Sequence, residues 1–395
     1  MAAATSVPAA DLVLKKTPAL TVEQASLYPQ NLARIDLGAQ INVTPQGDVA
    51  QSAALLSGDA TASWNVAPGT HTVLISLGKI EQLDSINFLN TDAKGSVVIA
   101  TANANLGPEK SQWREAGKQE LRNGIFRAKI GPAEAKYVRL TLNVTQPGRI
   151  ASLGVYGGAG VADFTMPRQR IAGEIAQVNY NLTDVHTKAR TLYVSSGNEA
   201  LANQMIDEQP ATTYAFAAND TAPAAIVDLG REMTLRRIAV LSTPGAGTAH
   251  FYVLNALPAN APGASAPETL RLDEGAIAGL ESVGSANDDG SGRAAVDFPE
   301  TSARYVLVKW SPANPNFSVA EIATFGRAPT NMLFAANSAV DRSGKNVADA
   351  KDGKDAKDFK DIPAEGPEAP AEAPPPALPP QPPFVFIPQV APTSP

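Results

Sequence analysis

Three histidines, His71, His186 and His250, are the only imidazoles in 395 residues, and none stands at a spacing that would assemble a metal site or a general base. There is no G-x-S-x-G elbow, no phosphate loop, no H-E-x-x-H and no cysteine for a nucleophile, a thiolate site or a disulfide. Carboxylates are plentiful, but nothing in their order pairs two across a cleft, so the chain reads as non-enzymatic, with no catalytic residue. Sugar binding needs an aromatic face for the C–H surface of a pyranose, and amides, carboxylates or arginine for its hydroxyls, shown on loops. Pro312-Ala313-Asn314-Pro315-Asn316-Phe317 brings those types together, which makes Asn314, Asn316 and Phe317 candidate carbohydrate ligands. The same residues suit another role, with Phe317 plugging the end of a core and the asparagines making turns. Trp64, Trp113 and Trp310 lie at or near predicted strands and are assigned to cores.

The elements that must carry that loop are strands. Residues 137–144 alternate cleanly, Val138, Leu140, Leu142 and Val144 against Tyr137, Arg139, Thr141 and Asn143, the period of a half-buried strand. Further β-branched or aromatic runs at 72–77, 83–89, 96–101, 226–229, 235–241 and 251–254 are bounded by Gly, Pro, Asn or Asp. Helical signals are short, as at 198–206.

An ordered internal repeat divides the chain. Leu56-Ser57-Gly58-Asp59 aligns with Ile206-Asp207-Glu208-Gln209 at an offset of 150, and Leu77-Gly78 with Leu229-Gly230 at 152. Tyr137-Val138 then aligns with Tyr305-Val306 at 168, and Tyr156-Gly157 with Phe325-Gly326 at 169. The second copy therefore carries an insertion between Asn255 and Arg293, rich in Ala, Pro, Gly and Asp, which reads as an extended surface loop. The loop of copy one equivalent to 312–317 offers Gln146 and Arg149 as carbohydrate ligands, without an aromatic. The expected organisation is an N-terminal extension (1–26), a first β-sandwich (27–158), a linker (159–190), a second β-sandwich (191–327) and a charged, then proline-rich, tail (328–395).

These landmarks resemble discoidin, or coagulation factor type C, modules, galactose-binding-like domains related to bacterial carbohydrate-binding modules. In copy one they are Asn31-Leu32-Ala33, Gly58-Asp59, Trp64, Ser76-Leu77-Gly78, Tyr137-Val138-Arg139-Leu140 and Val155-Tyr156-Gly157. In copy two they are Ile206-Asp207, Thr212, Val227-Asp228-Leu229-Gly230, Ala303-Arg304-Tyr305-Val306 and Ala320-Glu321-Ile322 with Phe325-Gly326. The resemblance implies an all-β fold, two tandem jelly-roll β-sandwiches with a disordered proline-rich C-terminal tail, and ligand loops at one end of each sandwich. It also implies a structural Ca²⁺ in the second domain, with Asp207, Thr212 and Glu321 at the family's oxygen-donating positions. The alternative is that Asp207 and Thr212 cap their own turn and Glu321 is solvated. Copy one has Ser152 where copy two has Glu321, retains only Asp59, and is expected to have lost the site.

A net charge of −7 gives no footprint for nucleic acid, and no run of residues is long and apolar enough to span a membrane. No leader is visible in this sequence; the resemblance places the protein outside the cell or on a bacterial cell surface. The expected partner is a glycan or cell-surface polysaccharide, bound in carbohydrate recognition or adhesion. The alternative is a structural subunit of a surface layer, filament or larger complex. In the tail, prolines surround the apolar island Phe384-Val385-Phe386-Ile387, which suits a spacer or a segment that adds to an exposed sheet edge, so homo-oligomeric assembly through the tail is a further expectation.

Overall fold

The computed structural model describes residues 11–21, 28–45, 49–107, 110–157, 180–245, 247–258, 266–288 and 290–327. The tail with its apolar island and most of the expected linker lie outside the described residues.

The chain opens with β1 (Leu12–Lys16) and then builds a first sandwich. Its elements are β2 (Gln30–Asn31), β3 (Gln40–Thr44), α1 (Val49–Ala54), β4 (Ser63–Val66), β5 (Gly69–Thr91), β6 (Lys94–Ala102), β7 (Arg114–Leu121), β8 (Gly124–Gln146) and β9 (Gly148–Gly157). They pair in the order β2-β9-β5-β8-β6-β7, with β3 on β5 and β4 on β9, all antiparallel. The second sandwich comprises β10 (Arg190–Val194), a 3-10 helix (Glu199–Ile206), β11 (Tyr214–Ala215), β12 (Ala224–Ser242), β13 (Gly247–Leu254), β14 (Thr269–Leu272), α2 (Glu274–Ala278), β15 (Glu281–Asn287), β16 (Arg293–Pro312) and β17 (Ser318–Arg327). It repeats the pattern, with β12 between β10 and β16, and β13 between β16 and β15.

The long strands make two layers by bending. The β5–β8 register breaks between Ser76 and Glu81, and the β12–β16 register between Asp228 and Met233. A glycine marks each bend: a Cβ on Gly78 would lie 2.2 Å from the Leu37 carbonyl oxygen, and Gly230 has φ +76°, so a larger residue meets backbone or strain at either place. Alternation then sends Val138, Leu140, Leu142 and Val144 into the first core and Val306 and Val308 into the second, beside Trp64 and Trp310 respectively.

Three boundaries differ from the expected ones. The N-terminal extension is not separate: β1 inserts between β14 and β10 of the second sandwich, pairing Leu14 with Leu270 and Lys15 with Val194. The second sandwich starts by residue 180 and not at 191, because Leu182, Val185 and Ala189 are buried in its core. The insertion after Asn255 is not a bare loop. Leu257, Leu270 and Leu272 are buried with Leu12, Leu14, Tyr193 and Leu307 in a small core on the outer face of the sheet. Ala224, Ala225, Ile226 and Val227 of β12 are buried on both faces of the sheet, so its outer face needs a cover, as the smaller cluster of Trp113, Tyr137 and Ala100 provides in copy one.

Candidate functional site

The duplicated landmarks meet each other. Asn31 and Asn181, 150 residues apart, do the same work: Asn31 Oδ1 accepts from the Ala33 and Val155 amides at 3.1 and 3.2 Å, and Asn181 Oδ1 from the Thr183 and Thr324 amides at 2.9 and 3.1 Å. Each then points its amide nitrogen at a carboxylate, Asn31 at Glu208 (3.4 Å) and Asn181 at Glu321 (3.5 Å). The turns facing them correspond too, since the Asp59 amide donates to Ser57 Oγ at 3.1 Å and the Gln209 amide to Asp207 Oδ1 at 2.9 Å. At the next position Gly58 has φ +77° and Glu208 φ +57°. A glutamate in left-handed backbone costs about 1 kcal/mol, and its neighbours hold it there. Its carboxylate pairs with Arg34, and its carbonyl accepts from the Tyr156 hydroxyl.

The two sandwiches thus share a polar seam, and copy two has loaded it with acid. Ser57 and Gly58 correspond to Asp207 and Glu208, Arg34 to Asp184, and Asp36 to His186. Asp36, Asp184 and Glu208 all pair with the one guanidinium of Arg34. Burial opposes the Arg34 charge, but these carboxylates outweigh it and raise its pKa well above the ordinary value. Burial also opposes the Asp184 charge, yet Arg34 and His186 prevail and hold its carboxyl below 3.8. His186 is raised above 6.5, because its bonds to Asp184 (3.1 Å) and the Tyr28 carbonyl (2.8 Å) outweigh burial. As both partners accept, the imidazolium satisfies them together.

Asp207 and Glu321 have no cation of their own among the described residues. Burial, opposed by bonds from Thr212 and the Gln209 amide, pushes Asp207 up to about 7. Burial and the charges of Asp207, Glu208 and Asp184 push Glu321 well above the ordinary range. Thr212 Oγ1 lies 2.9 and 2.8 Å from the two Asp207 oxygens, so the capped turn is present, but Glu321 is not solvated: it is 4% exposed, and its Oε2 has no hydrogen-bond partner among the described residues. Among the described residues no three His, Asp or Glu side chains converge as a metal cluster. In copy one, Arg237 of the second sandwich reaches across to Asp59 Oδ2 (2.9 Å) and Thr61 Oγ1 (2.6 Å). A guanidinium thus occupies the loop whose equivalent in copy two is acidic.

The carbohydrate candidates lie in the β16–β17 turn and at the β8–β9 turn. Asn314 and Asn316 are exposed, with the Asn316 amide donating to Asn314 Oδ1 at 2.9 Å in an Asx turn. Phe317 is not displayed: it is 7% exposed, with ring centroids 5.7 Å from Trp310 and 6.0 Å from Phe216. It closes the core of the second sandwich. Above it, Ser242, Thr243, Thr248, Asp288 and Asn314 rim a narrow crevice with about 20 Å³ of room, enough for one water. Asp288 organises that rim, accepting from the Gly290 and Gly292 amides at 2.9 and 2.8 Å and from the Gly245 amide at 3.0 Å. Gln146 and Arg149 are exposed on either side of Pro147-Gly148, in the tight β8–β9 hairpin of copy one. Sequence reasoning missed the seam, although Asn-Leu recurring at an offset of 150 was its signal.

No family model matches the chain, and no curated protein matches it. Solved structures do. The CBM32-1 and CBM32-2 domains of Clostridium perfringens ZmpB, in complex with GalNAc, match over 80% of this chain and 96% of theirs at 13% identity and a TM-score of 0.28. A fucolectin from the serum of striped bass, Morone saxatilis, matches over 76% of this chain and 99% of its own at 13% identity and a TM-score of 0.27. Chitosan-binding module 1 of a chitosanase/glucanase from Paenibacillus sp. IK-5 matches over 33% of this chain and 99% of its own, at 21% identity and a TM-score of 0.29.

Proposed function

We propose that this is a non-catalytic glycan-binding protein acting outside the cell, in carbohydrate recognition or adhesion, through the loops of the second sandwich at the β16–β17 turn. The observation that carries this reading is the grouping there of the exposed Asn314 amide, with Asn316 exposed beside it in the same turn, the Thr243 and Thr248 hydroxyls and the Asp288 carboxylate over an aromatic floor of Trp310 and Phe317. Because the crevice is narrow, a sugar rests across the loops, binds weakly at each site and gains strength from multivalency. Gln146 and Arg149 supply the lesser, non-aromatic counterpart in copy one.

The reading includes a structural Ca²⁺ held by Asp207, Thr212 and Glu321. Hard oxygen donors, a buried carboxylate oxygen without a partner among the described residues and an excess of acid over base fit such an ion. When bound, it neutralises the acidic side of the seam.

A glycan array with the wild type and an Asn314→Ala, Asn316→Ala variant tests the loops. Both residues are exposed, so the fold is retained and hits should weaken at least tenfold. An array without hits, or hits indifferent to both changes, sinks the assignment. One observation favours assembly instead: all three tryptophans and Phe317 are buried, which leaves the loops little aromatic surface for stacking. Light scattering separates the two, since a large regular particle with no glycan hit supports a structural subunit.

A further inference from the structure

On the outer face of the second sandwich the insertion borders a hollow. Phe251, Val253, Val306 and Val308 point into the core, so alternation turns His250, Tyr252, Leu307 and Lys309 outward. There His250 pairs across the strands with Lys309, and Tyr252 with Leu307 and Ser282. Helix α2 and the turn after it border these residues, and together they form an open hollow of about 370 Å³, lined by Tyr252, Glu274, Ile277, Leu280, Ser282 and Lys309. That volume is in the lower part of the range for small-molecule sites, about 300–1,000 Å³.

Register shows why it is hollow. In the first sandwich Thr101 pairs with Arg114 and Ala100 with Glu115; in the second Val253 pairs with Glu281 and Tyr252 with Ser282. The residue before each strand is therefore equivalent, Trp113 in copy one and Leu280 in copy two. Trp113 is 8% exposed, donates its indole N–H to the Gly107 carbonyl at 3.0 Å and packs beneath Arg139, whose guanidinium carbon lies 4.9 Å from the ring centroid. Leu280 fills less of the same place, and α2 bridges what remains.

The lining specifies a chemistry. Lys309 forms no salt bridge among the described residues, although Glu274 borders the same cavity. The nearest charged or titratable neighbour across the strands is His250, whose pKa is lowered by burial and then by Lys309 itself. One wall thus holds an ammonium that makes no salt bridge among the described residues, with the Glu274 carboxylate on the same lining. The Tyr252 ring with Ile277 and Leu280 gives an apolar face, while Ser282 and Glu274 can bond hydroxyls. A single ammonium without a ring of backbone amides suits a carboxylate better than a phosphate. We infer that this cavity is a binding site for an acidic saccharide, its carboxylate on Lys309 and its ring against Tyr252.

The inference does not rest on the loops at the sandwich end, and the experiment keeps the two apart. The full chain is titrated with glucuronate, with glucose and acetate as controls, by NMR or calorimetry. Glucuronate should bind at least tenfold more tightly than either control. Lys309→Gln and Leu280→Trp should each lower its affinity at least tenfold, the first by removing the charge and the second by restoring the copy-one filling, while the Asn314→Ala, Asn316→Ala variant binds it normally. Thermal melting confirms that both variants fold, and Lys309→Arg should retain binding if Lys309→Gln loses it. Equal affinity for glucuronate and glucose overturns the anionic class. Acetate as tight as glucuronate overturns the saccharide class, and unchanged binding by folded Lys309→Gln and Leu280→Trp overturns the site.

Discussion

Stability of this chain should fall as pH rises through neutrality, and calcium should abolish that fall. The reasoning starts at Asp207, whose carboxyl is moved from the ordinary 3.8 to about 7 by burial in the seam. A carboxyl that holds its proton more tightly when folded exacts nothing below 3.8, a growing penalty between 3.8 and 7, and the full penalty above 7. At about 1.4 kcal/mol per pH unit, the roughly 1.5 units between pH 5.5 and 7 amount to about 2 kcal/mol from Asp207 alone. Glu321, also raised, acts in the same direction. So does His186, because an imidazole raised above 6.5 contributes stability that is complete below 6.5 and lost as pH climbs through its folded value. Asp184, held below 3.8, has the opposite sign, but its stabilisation is lost only under strong acid. The assay is urea denaturation in EDTA at pH 5.5 and 8.0, repeated with calcium chloride. The expected result is a loss of at least about 2 kcal/mol at pH 8.0 in EDTA. With calcium at a hundred times its dissociation constant, about 2.7 kcal/mol should be recovered at pH 8.0 and less at pH 5.5, where protons compete. Glu321→Gln should flatten both responses. Equal stability at the two pH values in EDTA would refute the acidic seam, and a normal pH response without any calcium effect would refute only the ion.

Other perturbations probe separate parts of the molecule. Arg34→Met strands Asp184 and Glu208 without their guanidinium, and should cost about 3–5 kcal/mol in urea denaturation; a loss under about 1 kcal/mol would remove Arg34 from the centre of the seam. Phe317→Ala should lower stability by about 3–5 kcal/mol, while Asn316→Ala stays within about 0.5 kcal/mol, a contrast read directly from thermal melts. Deleting residues 1–17 removes the buried Leu12 and Leu14, each worth about 1.5–3 kcal/mol, and bares the edges of β10 and β14. The urea midpoint should drop and light scattering should report aggregation; an unchanged midpoint would mean that β1 adds nothing to the second sandwich.

Much of the fold was written locally. Strict alternation at 137–144 specifies a half-buried strand whatever lies around it, and Leu-Gly at 77–78 and again at 229–230 marks where a long strand must bend, because only glycine tolerates the approach of another backbone. Repetition of these local signals at nearly constant offset shows two copies of one unit. Proximity of Asp207 to Thr212 was legible for the same reason, since five residues can close one turn. Phe317 was not, because an aromatic beside a turn has the same local pattern whether it faces solvent or the core.

What sequence alone determined is therefore the short-range part: strand period, turn chemistry, duplication and the absence of familiar catalytic motifs. Tertiary structure alone decided which groups separated by 150 or more residues share a dry space. Arg34 beside Asp184 and Glu208, Arg237 on Asp59, Leu14 against Leu270 and the hollow beneath Leu280 all depend on how sheets stack and where β1 inserts. Charge and burial act through distance in space, and a linear order of residues carries no record of that distance until the chain is closed.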